Sequence, residues 1–125
     1  MRFPYAAHYQ PPFPVLELRL HNEEQSRQTD LLLALIDTGA DGTLVPISYL
    51  RQMLAPALTT RRLRSHWGEW RSVQLFALDF EIVGRRLVNV FVIGDEQGDE
   101  IVLGRNVLNR LRLSLDGVAN ETELQ

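Results

Sequence analysis

The residues best suited to chemistry are two carboxylates in one glycine-rich stretch, Asp37-Thr38-Gly39-Ala40-Asp41-Gly42. A carboxylate so placed can take a proton from water, and a second one beside it can hold the proton that general-acid catalysis needs. Like charges at short range resist joint ionisation. Such a pair therefore keeps one proton over a broad pH range, and that proton belongs to the pair rather than to either member. Thr38 can bond neighbouring backbone through its hydroxyl, and Gly39 permits close approach of backbone or ligand. Taken alone, the tripeptide Asp37-Thr38-Gly39 reads as a plain Asx-type turn. The chain has no cysteine, which excludes thiolate nucleophiles, disulfides and thiolate metal sites. His8, His21 and His66 share no metal-ligand spacing and read as surface residues, so neither a metal nor another cofactor is expected.

Positioning falls to the strand that precedes the loop. Residues 29–36 are apolar on both faces, with Leu31, Leu33 and Leu35 on one and Leu32, Ala34 and Ile36 on the other. Such a strand belongs inside a fold. Before it, Leu16, Leu18 and Leu20 alternate with Glu17, Arg19 and His21, the period of a half-buried strand. Residues 47–54 predict a short helix with Ser48 as a candidate N-cap, ended before Pro56. Residues 59–80 predict a long hairpin bending near 66–69, with Phe76, Leu78 and Phe80 on one face. Gly84-Arg85-Arg86 reads as a turn, residues 87–93 as a buried strand and residues 94–98 as an acidic turn. Residues 101–103 are a short apolar run closed by Gly104. Helical spacing follows over 105–110, and then Leu111, Leu113 and Leu115 alternate with Arg112, Ser114 and Asp116. The result is a mostly β domain with one or two short helices.

A chain of 125 residues suits one domain, and 45% apolar residues suffice for a core. Residues 1–14, with Pro4, Pro11, Pro12 and Pro14, read as an extended N-terminal arm, either docked through Phe3, Tyr5, Tyr9 and Phe13 or frayed. Residues 15–117 form the folded domain, and 118–125 a loose polar tail. A net charge of −3, from 16 acidic and 13 basic residues, carries no footprint for nucleic acid or an anionic membrane. No apolar run reaches membrane-spanning length and no secretory signal is seen, so a cytoplasmic setting is expected.

The flanks of the carboxylate loop extend its meaning. Ala34-Leu35-Ile36-Asp37-Thr38-Gly39-Ala40-Asp41-Gly42-Thr43 resembles the active-site loop of the retropepsin-like aspartic peptidases. Ile101-Val102-Leu103-Gly104-Arg105-Asn106-Val107-Leu108 resembles that family's second signature, two apolar residues and Gly followed by Arg and Asp or Asn at the start of the terminal helix. The resemblance spans residues 15–117. It implies a closed β-barrel of the acid-protease fold with one short C-terminal helix, active as a symmetric homodimer that hydrolyses peptide bonds. Asp37 would be the catalytic aspartate, and Thr38 would bond its counterpart across the two-fold axis. Gly39, Ala40 and Asp41 would contact substrate. Asp41 would also pair with Arg105 in a partly buried fork, with Gly104 and Asn106 supporting the loop; otherwise Arg105 is a solvated helix residue. Only one such loop exists, since Asp79, Asp95, Asp99 and Asp116 lack a following Thr-Gly or Ser-Gly. The second Asp37 must then come from another copy.

The resemblance is looser elsewhere. The hairpin around 65–70 would be the flap over the cleft, with Gly68 at the bend and Trp67 and Trp70 closing on substrate or simply packing on the sheet. It lacks the Gly-rich apex of the viral enzymes. Arg61, Arg62, Arg64 and Arg71 flank it as a solvated face, or as a basic rim for acidic substrates. In the viral enzymes both termini interleave into the dimer sheet, whereas the proline-rich arm and polar tail here suggest a differently arranged contact, for instance one with fewer strands. A catalytically silent peptide-binding dimer, or a latent one with its cleft filled by residues 1–14, is the competing reading.

Overall fold

The structure, a computed structural model, describes residues 1–64 and 67–125. Strands β1 (Arg2–Pro4), β2 (Val15–Asn22), β3 (Arg27–Gln28), β4 (Leu32–Ile36) and β5 (Thr43–Pro46) lead into helix α1 (Ile47–Gln52). There follow β6 (Ala57–Arg64), β7 (Trp70–Ile82), β8 (Arg85–Asp95) and β9 (Ile101–Leu103), then helix α2 (Arg105–Leu108), β10 (Leu113–Asp116) and β11 (Glu121–Leu124). An eight-stranded sheet runs in the order β3-β2-β4-β9-β5-β8-β7-β6, and a β2–β7 pairing closes it into a barrel. The alternation read in β2 holds for its leucines: Leu16, Leu18 and Leu20 are fully buried beside Phe80, Ile82, Val92 and Leu103.

The middle of this sheet positions the carboxylate loop. β9 lies between β4, with which it is parallel, and β5, with which it is antiparallel. The chain therefore leaves β4, loops past the end of β9 and returns as β5 on its far side. Two strands of a buried sheet are thus pinned on either flank of a loop only six residues long, 37–42. Little conformational freedom is left to it.

Several elements depart from expectation. Leu31 and Leu33 are 54% and 52% exposed, because β4 starts only at Leu32 and the odd face of its first half lies outside the barrel. Ser48 does not cap α1: Pro46 holds the N-cap position and no side-chain cap bond forms there. β8 is half-buried rather than buried, with Leu87, Val90 and Val92 inside but Val88 and Phe91 exposed. The turn before it is Val83-Gly84, and Arg85 and Arg86 already belong to the strand. α2 is a single turn, shorter than the spacing over 105–110 suggested. His21 is buried, not a surface residue, and its Nε2 lies 2.9 Å from Glu81.

The largest correction concerns the ends. Residues 118–125 are not loose: β11 pairs antiparallel with β10 on one side and β1 on the other. Leu124 and Thr122 are buried, and Phe3 of the arm joins the main core. A segment as polar as Glu121-Thr122-Glu123-Leu124 hides its strand character because only its even positions turn inward. Among the described residues, no helix is long and apolar enough to cross a membrane.

Candidate active site

Asp37 is half-buried where β4 ends, and its backbone N–H donates to the Leu103 carbonyl at 3.0 Å, fastening the loop to β9. Its carboxylate Oδ1 accepts from the Gly39 N–H at 2.9 Å, and the Ala40 N–H donates to the Asp37 carbonyl at 3.2 Å. The turn thus holds one carboxylate oxygen in place. Thr38 and Gly39 are exposed at the tip.

α2 braces the loop from behind. The Arg105 N–H donates to the Ala40 carbonyl at 2.8 Å, and its Nη1 to the Thr38 carbonyl at 2.7 Å. Arg105 Nη2 pairs with Asp41. The guanidinium is therefore shared between a backbone carbonyl and one carboxylate oxygen, rather than forming a fork on Asp41 alone. Nor is the pair partly buried as expected, since the Arg105 and Asp41 side chains are 44% and 91% exposed. At that exposure the ion pair contributes positioning more than stability.

Thr43 is a residue the sequence reading gave no role. It is fully buried; its Oγ1 donates to Asn106 Oδ1 at 2.7 Å and accepts from the Gly104 N–H at 3.1 Å. Asn106 Nδ2 in turn donates to the Phe91 carbonyl at 2.9 Å. This chain joins β5, α2 and β8. The available signal was a hydroxyl at an inward position of a short apolar strand, where a buried polar group must find partners.

Asp37, Thr38, Gly39, Ala40, Asp41, Gly104, Arg105 and Asn106 thus gather at one place. Trp67 and Gly68 come just before β7, in the β6–β7 connection. Trp67 is 86% exposed, while Gly68 has φ +86°, the left-handed backbone that glycine adopts at least cost. Ser65 and His66 of the expected flap lie outside the described residues. Arg61, Arg62, Arg64 and Arg71 are all exposed, and the Arg62 guanidinium sits 5.1 Å from the centre of the Trp70 ring. Between the β6–β7 hairpin and the end of β8 is a hollow of about 350 Å³, lined in part by Leu44, Leu63, Arg71, Val73, Ile93 and Glu96.

No protein-family model matches the chain. No curated protein matches it either. Solved structures do. A retropepsin-like aspartic protease from Rickettsia conorii superposes with a TM-score of 0.67 at 14% identity, covering 99% of this chain and 88% of that one. The retroviral protease-like domain of Ddi1 from Leishmania major gives 0.59 at 14% identity, with 90% and 88% covered. EIAV protease, solved with the inhibitor HBY-793, gives 0.56 at 16% identity, with 78% and 86% covered. With the barrel, the loop around the end of β9 and the α2 brace already in place, these likenesses establish that the chain has the retropepsin-like fold.

Proposed function

We propose that the chain is one half of a homodimeric aspartic endopeptidase, with Asp37 of each copy supplying one member of the catalytic pair. The observation that carries this reading is the construction around Asp37. One carboxylate oxygen is tied into the turn, the tip is exposed, and the loop is anchored to β9 and α2 on both flanks. A plain Asx turn needs no such bracing. The solved neighbours support the fold, and the chemistry follows from the pair.

With one proton between the two carboxylates, the ionised member takes a proton from a bound water, and the water oxygen attacks the peptide carbonyl carbon. The protonated member donates to the carbonyl oxygen, giving a neutral gem-diol. As the diol collapses and its C–N bond breaks, a hydroxyl proton passes to the ionised carboxylate while the protonated one donates to the leaving nitrogen, so acid and amine form and the pair again holds one proton. Gly39, Ala40 and Asp41 line the approach to this site and bind peptide backbone. The exposed Trp67 and Trp70 on the hairpin close over the substrate and exclude water.

The test is cleavage of a diverse peptide pool from acidic to neutral pH, read by mass spectrometry. Cleavage should increase more steeply than linearly with protein concentration in the dilute range, because two chains make one site. No cleavage at any concentration or pH would favour the silent peptide-binding dimer.

Arg105 gives a separate expectation. In Arg105→Ala, the Thr38 carbonyl and Asp41 lose their shared partner, and stability falls by only about 1 kcal/mol because the pair is exposed. Cleavage should fall far more, by about 10- to 100-fold, since a loop displaced by a fraction of an ångström misplaces its carboxylate. Arg105→Lys should recover part of the stability but little of the rate, as one ammonium does not reproduce the planar spread of donors. Unchanged folding and unchanged cleavage in Arg105→Ala would sink the bracing role.

A further inference from the structure

We infer that the free edge of β10 is the surface on which a second copy of this chain docks, so that two three-stranded sheets join into one six-stranded sheet. The inference rests on the reading of the chain as half of a two-carboxylate enzyme, and it names the surface that completes the site. β1, β11 and β10 pair within one chain, so the termini already have their partners.

That leaves the sheet with two edges, and they differ. Across β1–β11, Leu124 N–H donates to the Met1 carbonyl at 2.8 Å and Tyr5 N–H to the Asn120 carbonyl at 2.8 Å. Antiparallel pairs alternate between bonded and non-bonded. Residues 1, 3 and 5 therefore face β11, while Arg2 and Pro4 present their backbone to the outer edge. Pro4 has no N–H to offer, which blunts β1 against strand addition. Across β10–β11, Gln125 N–H donates to the Arg112 carbonyl at 3.1 Å, with Ser114 opposite Glu123 and Asp116 opposite Glu121. By the same alternation, Leu113 and Leu115 carry the outward N–H and C=O groups of β10. Neither is proline, and no charged side chain stands between them.

This edge is self-complementary about a two-fold axis through Ser114. Antiparallel pairing there sets Leu113 of one copy against Leu115 of the other, so all four outward groups on each edge find partners. The same register sets Arg112 against Asp116 of the second copy, opposite charges at both ends of the pairing. It also brings cover to Leu115, which is 47% exposed in the single chain.

Two proline variants test the edge. Leu115→Pro removes an outward N–H while leaving the β10–β11 ladder its donors, and Arg2→Pro does the same to the outer edge of β1. Leu115→Pro should retain the wild-type circular dichroism spectrum, weaken dimerisation in sedimentation by at least about 100-fold and lose cleavage at dilute concentration. Arg2→Pro should remain dimeric. A dimeric Leu115→Pro, a monomeric Arg2→Pro with Leu115→Pro unaffected, or a wild-type chain monomeric at every concentration would overturn the inference. Should Leu115→Pro fail to fold, hydrogen exchange on the wild type decides. The amides of Leu113 and Leu115 should become protected as concentration rises, and exchange independent of concentration would refute the proposal. A wild-type dimer with those amides protected but no cleavage leaves the interface standing and removes the peptidase. Cleavage by a still-dimeric Leu115→Pro does the reverse.

Discussion

An Asp37→Asn chain is expected to fold, to dimerise and to cleave peptides at least about 1,000-fold more slowly than the wild type, the scale of lost general acid–base catalysis. The substitution is chosen because it spares the structure. Asparagine is close in shape, and its side-chain oxygen can accept from the Gly39 N–H as Asp37 Oδ1 does at 2.9 Å. What it lacks is a site that takes a proton from water near neutrality. The loss should therefore lie in the chemical step and not in peptide binding. Three decades correspond to about 4 kcal/mol of transition-state stabilisation. Mixing sharpens the result. If two Asp37 side chains make one site, adding an equal amount of the variant to a fixed amount of wild type should halve the rate after subunit exchange, and a ninefold excess should leave about a tenth, because random pairing consumes wild-type chains in crippled dimers. A chain that works alone would keep its rate throughout. Equal cleavage by wild type and variant would remove Asp37 from catalysis altogether.

How far the sequence reached depended on the range of each interaction. The loop 37–42 and the run 101–106 are local patterns, and their geometry follows from a few neighbours: a β4 end, a tight turn, a one-turn helix. Alternation exposed β2 because its Leu16, Leu18 and Leu20 all face the same core. The exposed Leu31 and Leu33 misled for the converse reason, since composition records which side chains are apolar and not which face of a strand the barrel covers. β11 escaped because its pairing with β1 joins the two ends of the chain, a contact with no local trace in a sequence of Glu, Thr and Glu. The Arg105–Asp41 pairing could be expected from its motif. The division of the guanidinium between Asp41 and the Thr38 carbonyl could not, since a backbone acceptor is available at every position and only folding selects one. Thr43 lay inside the matched stretch, yet its two bonds reach α2, sixty residues on in sequence but adjacent in space.

Gly104→Ala should be the most damaging substitution that removes no functional group. Gly104 has φ −93° and ψ −178°, extended backbone that any residue adopts, so glycine is not there for conformational freedom. It is there for space. A β-carbon on Gly104 would fall on the carbonyl group of Gly42, 2.5 Å from its carbon, and 3.0 Å from the Ala40 oxygen. Both obstacles are backbone of the carboxylate loop, which cannot rotate aside as a side chain can. To make room, loop and β9–α2 junction must part, stretching the Arg105 N–H to Ala40 bond of 2.8 Å and the Gly104 N–H to Thr43 bond of 3.1 Å. Overpacking that flexible neighbours absorb costs about 1–3 kcal/mol, so backbone against backbone should cost more than about 3 kcal/mol and lower the melting midpoint by about 10 °C. Where the variant is still folded, cleavage should drop by about 100-fold or more, because the displaced loop carries Asp37. Two other glycines calibrate the effect. Gly117→Ala meets no atom within 4 Å and should be nearly neutral, whereas Gly42→Ala meets the Cδ1 tip of Ile93 at 2.9 Å, which can swing away, and should be intermediate. A Gly104→Ala protein as stable as Gly117→Ala would mean that α2 does not press on the loop, and the bracing of Asp37 from behind would have to be given up.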